Sequence, residues 1–177
     1  MAENKKKVKE TILKDLFSSD EKLVIRAIDR TKKHADESFI EPLLLVYKEG
    51  SESVQSKVNE ILCALKTSAA EEPLASALSD ERFSGLHEDI LRFLWNSGFE
   101  PVDHLPVITN CMITGDYMTA LEGMTLIEQM SEHIDDELLM ESMMDLRLAL
   151  NDMEKENEKY LLLRTVHDHL DHIEKSQ

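Results

Sequence analysis

Three carboxylates recur at a fixed interval. Glu41, Glu72 and Asp103 stand 31 residues apart, each two positions ahead of a leucine (Leu43, Leu74, Leu105). On parallel, adjacent helices, whose axes lie roughly 8 to 10 Å apart, such a column would make an acidic ladder about 20 Å long. Its chemistry would be capture of Lys or Arg side chains of a partner. The plainer account is helix-terminus stabilisation, since an acid in a first turn complements the helix dipole by about 0.3–1 kcal/mol. A second cluster, His167-Asp168-His169-Leu170-Asp171-His172, has two His–Asp pairs at the i, i+4 spacing of metal ligands on a helix. No His-Glu-x-x-His arrangement accompanies it, and the expectation is a polar terminal helix with no metal.

Signals for catalysis are missing. The chain has no Gly-x-Ser-x-Gly, no phosphate loop and no dinucleotide glycine fingerprint, and only five glycines from which to build one. The expectation is a protein that is not an enzyme and needs no cofactor. Cys63 and Cys111 stand 48 residues apart and read as buried free thiols. Eight of the nine methionines fall between Met112 and Met153, with Met140, Met143 and Met144 together. Methionine suits adaptable binding surfaces, but filling of an irregular core is the expectation. Trp95, near Phe99, reads as packed between elements.

The elements that would position these residues form a repeat. Leu13/Leu16/Phe17, Leu43/Val46/Tyr47, Leu74/Ala77/Leu78 and Leu105/Ile108/Thr109 keep one helical face at steps of 30, 31 and 31 residues. Between them runs a second family at i, i+4, i+7, i+8. Its members are Val24/Ile28/Thr31/Lys32, Val54/Val58/Ile61/Leu62, Leu86/Ile90/Phe93/Leu94 and Tyr117/Leu121/Met124/Thr125. Two alternating helix families with a shared period near 31 describe an α-solenoid. The breaks agree: Ser18-Ser19-Asp20-Glu21, Gly50-Ser51 and Gly115-Asp116 end one helix and cap the next. Ser38-x-x-Glu41 and Ser68-x-x-Glu71 have capping-box spacing, and Pro42 and Pro73 fall in first turns.

Over residues 8–130 the chain resembles the HEAT-repeat family in its short bacterial form. The resemblance rests on Asp20-Glu21-Lys22-Leu23-Val24-Ile25-Arg26-Ala27, on Phe39-Ile40-Glu41-Pro42-Leu43-Leu44, and on Glu72-Pro73-Leu74-Ala75. It departs from the family at the Val-Arg helix, where only Arg26 matches and Gln55-Ser56 and His87-Glu88 stand near the later positions. The resemblance implies an all-α, α–α superhelix of antiparallel helix pairs. It also implies a scaffold that cradles a partner on a concave face lined by the second helix of each pair.

Charge narrows the partner. The net charge is −16, unevenly spread: residues 1–33 hold ten bases against six acids. Between Thr67 and Leu146 the bases are Arg82 and Arg92, against 17 acids. That stretch repels phosphate backbones, excluding direct nucleic-acid binding along it, and attracts a basic partner. The longest strongly apolar run, Leu43 to Tyr47, is far short of a membrane span, and Met-Ala-Glu-Asn-Lys-Lys-Lys opens no signal peptide, so a cytoplasmic protein is expected.

The expected organisation is a single domain over 1–177. It comprises an N-terminal helix at 5–17, HEAT-like repeats over 18–130 and C-terminal capping helices over 135–174, with the last two helices either separate or continuous from 137 to 173. The expected function is a non-catalytic protein–protein interaction scaffold taking a basic protein or peptide, with Glu41, Glu72 and Asp103 as partner-binding residues. The alternatives are an acidic nucleic-acid mimic that occupies a DNA-binding protein, and a HEAT-like enzyme.

Overall fold

The computed structural model describes residues 2–34, 36–131 and 133–176. It is all-helical, and no strand occurs among the described residues. The α-helices are α1 Ala2–Leu16, α2 Glu21–His34, α3 Ile40–Glu49, α4 Glu52–Leu62 and α5 Glu71–Ser76. They continue as α6 His87–Ser97, α7 Leu105–Thr114, α8 Tyr117–Gln129, α9 Asp136–Asp152 and α10 Tyr160–Ser176. Among the described residues no helix is long and apolar enough to cross a membrane. The chain gathers into two compact units, residues 1–74 and 75–177, with the division inside the short α5.

In the first unit α1 packs on α2 and α3 on α4, while α1 also meets α3 and α2 meets α4. Two helices joined by a short turn and packed along each other must run antiparallel, so this is one αα-hairpin stacked on another. Of the stripes predicted for α3 and α4, Leu43 and Val46 on one helix and Val54, Val58, Ile61 and Leu62 on the other are buried, and Tyr47 is half-buried. α1 departs from the expected register. Ile12 and Leu16 are buried, Leu13 is half-buried and Phe17 is 59% exposed. The helix ends at Leu16, so Phe17 leaves the apolar face as the chain turns towards α2. Asp20 then caps α2, its carboxylate accepting the Lys22 N–H at 2.9 Å.

In the second unit α6, α8 and α10 form one layer, α8 touching both others, and α9 packs on α7 in a second layer. The hairpins α7–α8 and α9–α10 join the layers. The last two helices are separate, with Met153 to Lys159 between them. Beyond Met130 the sequence period fades, yet the hairpin packing goes on for one more pair. Lys159 fastens this pair to its neighbour. Its Nζ donates to the carbonyls of Ile113 at 2.8 Å and Gly115 at 2.6 Å, at the α7 C-terminus, where cations are favoured. Burial there pushes the Lys159 ammonium down from its ordinary value, with Asp116 opposing.

Two elements differ from the reading of the sequence. The third member of the first helix family is short: α5 stops at Ser76, and Ala77–Ser79 continues as a 3₁₀ turn with Ala77 and Leu78 still buried. On α8 the buried residues are Thr119, Ala120, Gly123, Leu126 and Ile127. The column Tyr117/Leu121/Met124/Thr125 is exposed or half-buried instead. Thr119, Gly123, Leu126 and Ile127 keep the i, i+4, i+7, i+8 pattern, but the last step from Leu86, Ile90, Phe93 and Leu94 is 33 residues. The cause is a close helix crossing. A Cβ on Gly123 would lie 2.4 Å from Met112 Cγ, so the α7–α8 contact is built around a residue with no side chain.

Candidate partner-binding surface

The three ladder carboxylates are all exposed, and each stands at the start of a helix. Glu41 is the second residue of α3 and Glu72 the second residue of α5, both in the first unit. Asp103, in the second unit, belongs to a one-turn 3₁₀ helix, Val102–His104. Pro106, in the first turn of α7, lacks the N–H that a preceding turn would bond, so α7 begins at Leu105. The column therefore sits on two α-helical first turns and one 3₁₀ turn, a more varied setting than three like helices.

Dividing the sequence at the boundary between units separates its charge. Residues 1–74 contain thirteen Lys and Arg against fourteen Asp and Glu, and residues 75–177 contain seven against twenty-two. The first unit is thus near neutral, at −1, and the second carries −15 of the −16.

On the α6–α8 pair, Glu88 feels the charges of three other carboxylates and of one guanidinium. Arg92 reaches Glu88 at 3.5 Å and pairs with Asp89. Burial, and then the charges of Asp89, Asp116 and Glu122, raise the Glu88 carboxyl above its usual range, with Arg92 opposing. The Trp95 indole N–H donates to Glu122 across the two helices, which holds that carboxylate in place. Asp116 is held low by the Thr119 N–H and hydroxyl, the hydrogen bonds of a helix cap.

The methionines divide between core and surface. Met112 and Met130 are buried, whereas Met140 and Met144 are each 62% exposed. With Leu148, 55% exposed, they stand at i, i+4, i+8 on α9 and make one apolar stripe facing away from the buried Leu139, Ser142 and Leu146. Glu137, Glu141 and Asp145 run beside that stripe in the same four-residue rhythm, and no ion pair holds them among the described residues. α9 contains five acids and one base, Arg147. Core filling therefore describes Met112 and Met130, with Met124, Met143 and Met153 half-buried, and misses this stripe. Its signal was in the sequence: α9 has two apolar stripes, Leu139/Met143/Leu146/Leu150 and Met140/Met144/Leu148, where a helix with one buried face needs one.

The first unit offers a partly open pocket instead. A cavity of about 210 Å³ lies among Thr31, Phe39, Ile40, Leu43, Ile61 and Leu65. Three of its polar groups have partners: the Thr31 hydroxyl donates to the Ile28 carbonyl, Lys32 pairs with Glu60, and Asp36 pairs with Lys9. The histidine cluster lies on α10. The Nε2 atoms of His167 and His169 are buried without a hydrogen-bond partner, Asp171 pairs with Lys175, and no group of three or more metal-capable side chains occurs among the described residues. Cys111 is buried, which pushes its thiol up to about 11 and away from thiolate chemistry, and Cys63 is half-buried.

No protein-family model, no curated protein and no solved structure matches this chain.

Proposed function

We propose that the chain is a non-catalytic interaction scaffold of the cytoplasm, a HEAT-like solenoid of helix pairs whose acidic C-terminal half captures a basic protein or peptide. The observation that carries this reading is the segregation of charge, with −15 concentrated in residues 75–177. A surface field of that size raises the local concentration of cationic partners and speeds their association. The exposed helix-start carboxylates are the candidate contacts: Asp103 within this acidic half, and Glu41 and Glu72 as further contacts in residues 1–74.

Affinity capture from the native host, eluted first at low and then at high salt, tests the reading. A basic protein retained at low salt and released by high salt is the expected result. Glu41→Lys, Glu72→Lys and Asp103→Lys together are expected to cut that capture at least about tenfold; unchanged capture would assign the three to helix-terminus stabilisation alone. A second reading, mimicry of a nucleic acid, draws on the same charge density. Capture confined to nucleic-acid-binding proteins and competed by DNA would select it.

A further inference from the structure

We propose that the exposed face of α9 is a docking site for a basic amphipathic helix of a partner protein, seated on Met140, Met144 and Leu148. This rests on the reading of the chain as a scaffold for basic partners and adds the place and the shape of one contact.

α9 is held on its other sides by α7 and α10, which bury Leu139, Ser142 and Leu146. The outward stripe is apolar through three turn-spaced residues, about 12 Å along the axis. Isolated exposed apolar residues are ordinary, but three in helical register form a contiguous patch. Two of the three are methionine, whose unbranched thioether adapts to varied apolar partners. A helix laid along such a stripe presents residues at i, i+3, i+4 and i+7.

Charge chooses the occupant. Glu137, Glu141 and Asp145 border the stripe, and the unit around them holds twenty-two acids against seven bases. A second copy would bring the same acidic face against its twin, and like charges repel. An acidic or neutral helix would leave the bordering carboxylates without counter-charges as they lose water. A helix with Lys or Arg flanking its apolar face satisfies both features of the surface at once. Electrostatic steering brings it in, and the methionine stripe sets how long it stays.

The test uses the full-length chain and three synthetic peptides of about 14 residues, four helical turns. One carries Leu at i, i+3, i+4, i+7 with Lys elsewhere, one is a scramble of the same composition, and one has Glu in place of Lys. Binding is read by fluorescence anisotropy at low and high salt. The amphipathic Lys peptide is expected to bind at least about tenfold more tightly than its scramble, and the Glu peptide not at all. Met140→Ser with Met144→Ser is expected to abolish that tenfold preference while leaving the circular dichroism spectrum unchanged, since both side chains are exposed. Glu137→Gln, Glu141→Gln and Asp145→Asn together are expected to slow association several-fold and flatten its salt dependence.

Equal binding of the two Lys peptides, unaffected by the serine changes, would overturn the α9 site and leave the scaffold reading standing. Failure of every basic peptide to bind at low salt would overturn both. Sedimentation velocity showing a dimer of the wild-type chain that the serine changes disperse would also overturn the α9 site, because a second copy would then be the occupant.

Discussion

The two units are built by the same packing and finished with different surfaces. In residues 1–74, α1/α2 and α3/α4 stack as hairpins; in residues 75–177, α7/α8 and α9/α10 do the same, with α6 beside α8. Their cores use the same residue types, with Leu43, Leu44 and Leu62 fully buried in one and Leu91, Leu94 and Phe93 in the other. Their surfaces part company. The near-neutral unit interleaves its charges, as in the pairing of Lys57 with Asp29 and Glu60, while the acidic unit has few cations to spread. Helix stacking is set by apolar spacing and turn chemistry, which are indifferent to the sign of exposed charge. The surface is therefore free to diverge, and in this chain the divergence carries the functional reading.

The largest expected effect breaks the comparison at the level of the core. Leu62→Ala and Leu94→Ala each remove a fully buried side chain, one per unit, and each is expected to cost about 2–5 kcal/mol. Amide exchange followed by mass spectrometry is expected to show each variant losing most protection in its own unit. Protection lost equally throughout 2–176 in both variants would mean that the units are not separable in stability.

A middle-sized effect concerns the turn that both units share. A Cβ on Gly50 would lie 2.6 Å from the Val46 carbonyl oxygen and 2.6 Å from Val54 Cγ1. On Gly115 it would lie 2.7 Å from the Cys111 carbonyl oxygen and 2.7 Å from Thr119 Cβ. Both glycines have extended backbone, so space rather than φ selects them. Gly50→Ala and Gly115→Ala are expected to destabilise by similar amounts, about 1–3 kcal/mol in urea unfolding. A large effect at one and none at the other would show that the turns are not equivalent.

The smallest effect is electrostatic and belongs to the acidic unit. Glu88 has its carboxyl raised above 4.5, so the folded state holds its proton more readily than the unfolded state does. The stability this proton contributes is present below pH 4.5 and lost as pH rises through the raised value. Glu88→Gln is therefore expected to be more stable than wild type at pH 7, by less than about 1 kcal/mol because the side chain is partly solvated. The advantage should vanish near pH 4, as read by thermal melts across that range. Lys57 in the near-neutral unit is also raised, by hydrogen bonds to Asp29 and Glu60, but for an ammonium that favours the charged form, so Lys57→Met should give no such gain.

Much of this was legible in the residues. Spacing alone places Leu43, Val46, Val54, Val58, Ile61 and Leu62 on buried faces, because Pro42, Gly50 and Ser51 fix where α3 and α4 begin and end. The apolar pattern sets α8 in a different register from the structure because its contact with α7 is centred on Gly123, and a glycine adds nothing to an apolar pattern. The acidic ladder was legible as a column of charges. That Asp103 sits on a 3₁₀ turn while Glu41 and Glu72 sit in α-helices was not, since both turns bring an acid to a helix start. The stripe on α9 was visible as surplus apolar residues but not as surface.

The sequence by itself determined that this chain is helical, where its tight turns fall, and that its acids crowd into the C-terminal half. These follow from local propensity, capping and composition, which depend on neighbours along the chain. The tertiary structure alone decided which of two apolar stripes on α9 is buried. Both have helical spacing, and only the placement of α7 and α10 covers Leu139 and Leu146 while leaving Met140, Met144 and Leu148 to solvent. Periodicity belongs to a single helix, whereas burial belongs to the helices packed against it.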